Sequence, residues 1–296
     1  MRYLLVTLLL VLVCHEASWA GRNNSDRRIL WGVPSWQPYS HSPNDKNAPG
    51  SINILLKIVT NNIQGFESAV IESSVPKAYE LWKNGTDICS PVVLYTKERE
   101  SLAYMTPFVV LPPLELIARV SKKEFLGGSN KPVDLAKIIK DKHWRGVFVL
   151  NRSYGELIDE ILEQNENEVW RVTAPQGDWL NILHMVGSRR ADYTVEYSVV
   201  AHEYNKAHTA LEQLASIPIK GYNKPFQFMI ACTRSSKGKE WIKAIDKALL
   251  ESAKSPVYRD YVEELFLPED RIKFKKDIDE FMERRAKGPW FVGPSD

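Results

Sequence analysis

The chain is 296 residues long, 44% apolar and 26% charged, the proportions of a globular protein with room for two domains or one large one. Its 39 lysines and arginines nearly balance 37 aspartates and glutamates, so no strong field favours nucleic acid or an anionic membrane as a partner. Arg2, an apolar stretch over residues 3–13 and then Ser18-Trp19-Ala20 predict a signal peptide over residues 1–20, cleaved after Ala20. The apolar stretch is too short to span a bilayer. A lipoprotein would use Cys14, but Val13 before it is not the small residue that such a site prefers.

Residues 29–33 (ILWGV) form the first predicted strand, broken by Pro34-Ser35-Trp36-Gln37-Pro38-Tyr39 into a loop that two prolines stiffen. The loop presents Trp36 and Tyr39 at the strand's C-terminal end, where ligands sit in open α/β sheets. They either wall a site or plug the top of a core. A helix follows over residues 51–61, with Ser51 as its cap and Ile52, Leu55, Leu56 and Val59 on one stripe. A second strand covers residues 68–72. The next helix, over residues 75–83, turns Ala78, Leu81 and Trp82 inward and stops at Asn84-Gly85. Residues 88–94 read as a buried strand, and the resulting βαβαβ unit implies a parallel sheet.

Thr96 then caps a helical turn carrying Glu98 and Arg99. Residues 104–108 leave it extended, because Pro107 locks its own φ and pushes its predecessor out of helix. Arginine offers a rigid fork that matches a carboxylate, so Arg99 is a candidate anion holder. The plainer alternative is that it pairs with Glu98, Glu100 or a carboxylate at a domain edge.

Residues 114–120 read as a strand entering a second lobe. After it come a helix (133–141), a strand (146–150), a turn at Asn151-Arg152-Ser153-Tyr154-Gly155, a helix (156–164) and a strand (169–173). A helix over residues 178–186, with Leu180, Leu183 and His184 on one side, precedes a strand over residues 191–197. Residues 226–233 (FQFMIACT) read as a strand of the second lobe, with helices at 242–252, 258–266 and 272–285 closing the chain. The expected division is residues 21–112 for the first lobe, 113–235 for the second, and 236–296 for helices that return to the first.

The 151–155 turn is the second lobe's counterpart of Thr96–Arg99. It offers Arg152, the Ser153 hydroxyl, the Tyr154 phenol and backbone N–H groups to an anion, or else uses Ser153 as a plain helix cap. The six histidines form no HExxH or ligand-spaced cluster, and no Gly-x-Ser-x-Gly turn or phosphate-binding glycine loop occurs. No metal, cofactor or catalytic residue is therefore expected. Cys89 and Cys232, placed in different lobes, are expected to be buried free thiols.

Gly85 and Asp87 before an apolar strand, then Thr96-x-x-Arg99 and Tyr104-x-x-Pro107-Phe108, resemble the family 3 extracytoplasmic solute-binding proteins, whose best-known members serve amino-acid ABC importers. The resemblance implies an α/β protein of two lobes in the type II periplasmic-binding architecture, each lobe a mixed or parallel sheet flanked by helices. It also implies a periplasmic location, a small-molecule solute and an inner-membrane permease or receptor as partner. The sequons at Asn23, Asn84 and Asn151 carry no meaning in a bacterial protein. In the family, the residue matching Arg99 holds the solute carboxylate, Pro38-Tyr39 match a cleft wall, and Ser153 matches a grip from the second lobe.

Departures are equally specific. Arg152 stands where glycine is usual. The family's ammonium-neutralising aspartate falls at Tyr197, with Glu196 beside it, and polar positions before Thr96 read Val92 and Leu94. These changes predict a small anionic or polar solute rather than a free α-amino acid, because an ammonium desolvated without a partner is costly. Sensing at a membrane receptor, and a dehydratase reaction on the same fold through Glu196 or a cleft histidine, are the alternatives.

Overall fold

The computed structural model describes residues 27–291, apart from 44, 46–47, 127–130, 151 and 174–179. The signal peptide, Cys14 and the sequons at Asn23 and Asn151 lie outside the described residues. The first lobe opens with β1 (Arg28–Val33), α1 (Ser51–Asn61), β2 (Glu67–Glu72), α2 (Val75–Lys83), β3 (Cys89–Leu94), α3 (Lys97–Leu102) and β4 (Ala103–Leu111). The chain then crosses into β5 (Glu115–Arg119), α4 (Lys123–Leu126), α5 (Leu135–Lys140), β6 (Val147–Val149), α6 (Glu156–Gln164), β7 (Trp170–Val172), α7 (Leu180–Gly187), β8 (Tyr193–Glu196), α8 (Ser198–Ala207) and β9 (Leu214–Pro218). It returns through β10 (Phe226–Thr233) and ends in α9 (Ser236–Ser252), α10 (Pro256–Glu263), α11 (Pro268–Lys273) and α12 (Lys275–Lys287).

The expected architecture is present, and its two halves repeat. The first sheet has the order β2-β1-β3-β10-β4, with β1, β2 and β3 parallel and β10 antiparallel to both its neighbours. In the second, β8-β5-β9 form one sheet and β6-β7 another, joined by a parallel bridge between Gly146 and Tyr193. Read across that bridge, the order is β7-β6-β8-β5-β9. In each half a strand from outside the parallel unit lies antiparallel in fourth place.

The α1 stripe behaves as its spacing dictates: Ile52, Leu55, Leu56 and Val59 are buried. Ser51 is not the cap. Gly50 holds that place, and the Ser51 hydroxyl donates to Glu264. Helix α7 differs from expectation because its buried face is Ile182, Leu183 and Val186, leaving His184 exposed. The expected last helix is broken at Phe274 into α11 and α12. Helix α8 and strand β9 are additions; α8 begins directly after β8, and its N-cap, Tyr197, makes no side-chain cap hydrogen bond.

The placement of residues 226–233 in the second lobe is wrong. Strand β10 pairs with β3 and β4 in the first sheet, and that single change brings Cys232 opposite Cys89. The two form a disulfide across the pair, so the expectation of free thiols fails as well. Opposite Ile230, the register of β3 slips by a bulge that holds Pro91, which has no N–H to give a ladder, and Val92 at φ 55°.

The C-terminal helices are locked onto the first sheet by buried polar groups. Arg285 Nη2 donates to Asp246 Oδ1 at 2.7 Å, and Thr106 Oγ1 donates to the same oxygen at 2.6 Å. The Trp290 N–H reaches Asp246 Oδ2 at 3.1 Å. Together these join β4, α9, α12 and the chain beyond α12.

Removing the disulfide is expected to cost about 2–4 kcal/mol, since it closes a long loop in the unfolded chain. Urea denaturation of Cys89→Ser/Cys232→Ser beside the oxidised protein measures this, and oxidised protein should yield no thiol to a maleimide label after unfolding.

Candidate functional site

The site is built where the C-terminal ends of β1, β3, β6 and β8 converge. After β1, the loop closes on itself through Trp36 N–H to Ser40 O (2.8 Å) and the reciprocal bond (2.9 Å). It is pinned to the start of α1, where the Ile52 N–H donates to Tyr39 O at 2.9 Å. A side chain at Gly50 would strike that carbonyl at 2.3 Å, so glycine is required by the close approach.

Trp36 and Tyr39 are 7% and 2% exposed. Trp36 lies 4.8 Å from Tyr39, 5.5 Å from Tyr197 and 6.0 Å from Phe228, ring centre to ring centre. The expected wall is thus the centre of an aromatic cluster joining the first lobe to Tyr197 at the end of β8. The Trp36 Nε1–H is buried without a partner among the described residues. Tyr39 donates weakly, at 3.4 Å, to Leu265 O, and burial together with Tyr197 and Glu196 raises its pKa well above the phenol's ordinary value.

Thr96 is the cap that its position predicts: its hydroxyl accepts the Arg99 N–H at 3.1 Å. The Arg99 side chain turns back so that Nη1 donates to Leu94 O at 2.8 Å. Its expected local partners are otherwise engaged, Glu98 with the Tyr79 hydroxyl and Glu100 with that of Tyr95. Among the described residues Arg99 forms no ion pair. Burial holds its pKa below the ordinary value, opposed by Asp159, Tyr79 and Glu98. Asp159 lies in α6 of the second lobe, so Arg99 is within electrostatic reach of that lobe. Asp87, also in the family-like stretch, has a structural role: it accepts the hydroxyl of Ser235, the cap of α9.

The second-lobe turn differs from expectation in three ways. Arg152 does not offer itself to an anion; it makes a two-pronged salt bridge to Glu196, 2.5 Å and 2.9 Å, with both side chains nearly excluded from water. Burial opposes the Arg152 charge, but Glu196 outweighs it and raises the pKa. The Tyr154 phenol points into the core, where it accepts the Val149 N–H at 2.8 Å. Ser153 is not the cap of α6; that residue is Gly155, at φ 89°, where a Cβ would meet the Tyr222 hydroxyl at 2.2 Å. Instead Ser153 Oγ donates to Asp159 Oδ2 at 2.5 Å, and the Tyr154 N–H donates to Oδ1 at 2.7 Å.

Asp159 and Phe228 are the residues that sequence reasoning missed. A carboxylate six residues after Ser153, within the first turns of a helix, is the signal that could have found Asp159. Phe228 was hidden by the assignment of its strand to the other lobe. Chemically, the site presents one half-buried guanidinium, one carboxylate already holding two donors, and an aromatic wall. The Glu196 carboxylate is neutralised from within.

No family model and no curated protein sequence matches the chain. Its fold, however, is shared with solved structures of two-lobed binding proteins. A mutant of ArgBP from T. maritima is 17% identical, aligns over 82% of this chain and 96% of its own, and has a TM-score of 0.60. A Salmonella typhimurium periplasmic binding protein of high arginine specificity is 15% identical over 81% and 100%, TM-score 0.60. The GluR0 ligand-binding core of Nostoc punctiforme, solved with L-glutamate, is 17% identical over 81% and 100%, TM-score 0.58. The chain therefore has the type II periplasmic-binding fold that its motifs resembled.

Replacing Arg152 by Ala leaves Glu196 buried and uncompensated and should cost about 3–5 kcal/mol of folding stability. Replacing both by apolar residues of similar size should recover most of that loss. Chemical denaturation of the single and double variants measures the difference.

Proposed function

We propose that this protein is an exported solute-binding protein that closes its lobes on a small polar or anionic molecule and delivers it to a membrane importer. The observation that carries the reading is Arg99, a half-buried guanidinium that forms no ion pair among the described residues and is influenced by Asp159 of the opposite lobe. Removing a charge from water without a counter-ion is expensive, and a solute carboxylate supplies the missing partner in a fork geometry. Asp159 across the gap suits a hydroxyl or amide donor on the same solute. The Arg152–Glu196 pair argues against a free α-amino acid, because the carboxylate nearest the expected ammonium position is already satisfied.

The aromatic cluster of Trp36, Tyr39 and Tyr197 supports a cleft that shuts out water on closure. Export is supported by the disulfide, which persists in oxidising compartments, and mass spectrometry of periplasmic protein should show a mature chain beginning at Gly21. The likeness to a ligand-binding core supports a second reading, in which closure is sensed by a membrane receptor. An adjoining permease and ATPase in the genome favour import; an adjoining kinase or cyclase favours sensing.

Thermal-shift screening against a metabolite library, followed by calorimetric titration, should find a carboxylate-bearing or polar solute. Arg99→Ala should then weaken binding by about 1.5–3 kcal/mol, the range for hydrogen bonds to charged groups. Unchanged affinity in that variant removes Arg99 from the site, and tight binding of a common free amino acid rejects the proposed solute class.

A further inference from the structure

A cavity of about 420 Å3 lies between β5, α8 and β9 of the second lobe and α11 of the C-terminal helices. Glu115 and His202 line it from the lobe, and Asp270 and Lys273 line it from α11. One edge is closed by Ser198 Oγ donating to Asp270 Oδ2 at 2.9 Å. Three carboxylates, Glu115, Glu269 and Asp270, line this space against two ammonium groups, Lys123 and Lys273. Among the described residues neither lysine closes onto Glu115 or Asp270 as an ion pair. Glu196, directly opposite Glu115 in the strand pairing, is occupied by Arg152.

We propose that this cavity binds a small organic amine, its cationic head between Glu115 and Asp270 and its carbon chain against Ala201, Leu214 and Leu267. The site shares no residue with the Arg99 cleft and holds whether or not that reading is right. Since Glu115 belongs to the second lobe and Asp270 to the C-terminal helices, the occupant ties one to the other.

The electrostatics agree with the geometry. Burial and the neighbouring Asp270 push the Glu115 carboxyl up to about 7, with Lys273, the Ser216 hydroxyl and Lys123 pulling it back. Burial also raises Asp270, opposed by Ser198 and Lys273, with Glu269 adding to the rise. A cation between the two carboxyls relieves both, and it binds the ionised form of Glu115. Affinity is therefore lost as pH falls through the Glu115 value. Ionisation goes from roughly one tenth at pH 6 to nine tenths at pH 8, a rise of about ninefold in affinity.

The test is calorimetric titration of the mature protein with 1,4-diaminobutane and agmatine, with glutarate as the anionic comparison, at pH 6 and pH 8. The amines should bind about ninefold more tightly at pH 8. Glu115→Gln should weaken binding at least tenfold and remove most of its pH dependence. Asp270→Asn, on the other wall, should weaken it independently, and Arg99→Ala should leave it unchanged. Circular dichroism and thermal midpoints show whether the variants are folded. The proposal is overturned if folded wild-type protein binds neither amine at millimolar concentration, or if glutarate binds better than both. It is equally overturned if binding survives both substitutions or is lost in Arg99→Ala.

Discussion

The structure depends on a strand that must come back. Strand β10 lies between β3 and β4, yet the whole second lobe intervenes between β4 and β10 in sequence. Until it arrives, β3 and β4 each present an unsatisfied ladder edge, and buried backbone groups without partners are costly. The disulfide between Cys89 and Cys232 holds that return in place. Asp87 and Thr233 reinforce it from the same end of the strand, through Ser235 and the carbonyls of Thr86 and Ile88. The chain thus passes between lobes twice, once before β5 and once after β9. Two such crossings leave each half with its own sheet, while buried side chains of both halves pack in one continuous core.

The same requirement explains what could be read from the sequence and what could not. Local pattern sufficed for β1, α1, α2, β3 and α6, because their apolar spacing and their turn residues agree. The Thr96 cap was legible for the same reason: it depends only on residues three apart. The extent of β10 was legible too, but its partners were not, since an apolar run says that a strand is buried and not which sheet buries it. From that one ambiguity followed the error about the thiols and the absence of Phe228 from the aromatic wall.

The site divides along a similar line. Trp36 and Tyr39 could be placed at the end of a strand from the pattern alone, whereas Arg99 and Tyr197 were singled out through the family resemblance. The fates of Arg152, Ser153 and Tyr154 could not, because each is decided by a group distant in sequence or in rotamer: Glu196, Asp159 and the Val149 N–H. A run of three polar side chains in a turn leaves open which of them points outward. Here two are consumed by neighbouring carboxylates and the third by the backbone beneath it.

Arg99 and Arg152 show how environment, rather than residue type, assigns a role. Both are arginines that follow sheet strands, one in each lobe; Arg152 is nearly excluded from water and Arg99 is half-buried. Arg152 meets Glu196 through two short hydrogen bonds, and burial strengthens that attraction as much as it penalises each charge. The pair is satisfied and has no reason to move. Among the described residues the Arg99 guanidinium hydrogen-bonds the Leu94 carbonyl and forms no ion pair, with Asp159 acting on it from the second lobe. Asp159, Tyr79 and Glu98 offset part of its desolvation without forming an ion pair among the described residues, so an arriving anion would stabilise its charge further. Of the two arginines, Arg99 is therefore the one whose charge an incoming anion would complete, and the proposed binding rests on it rather than on Arg152.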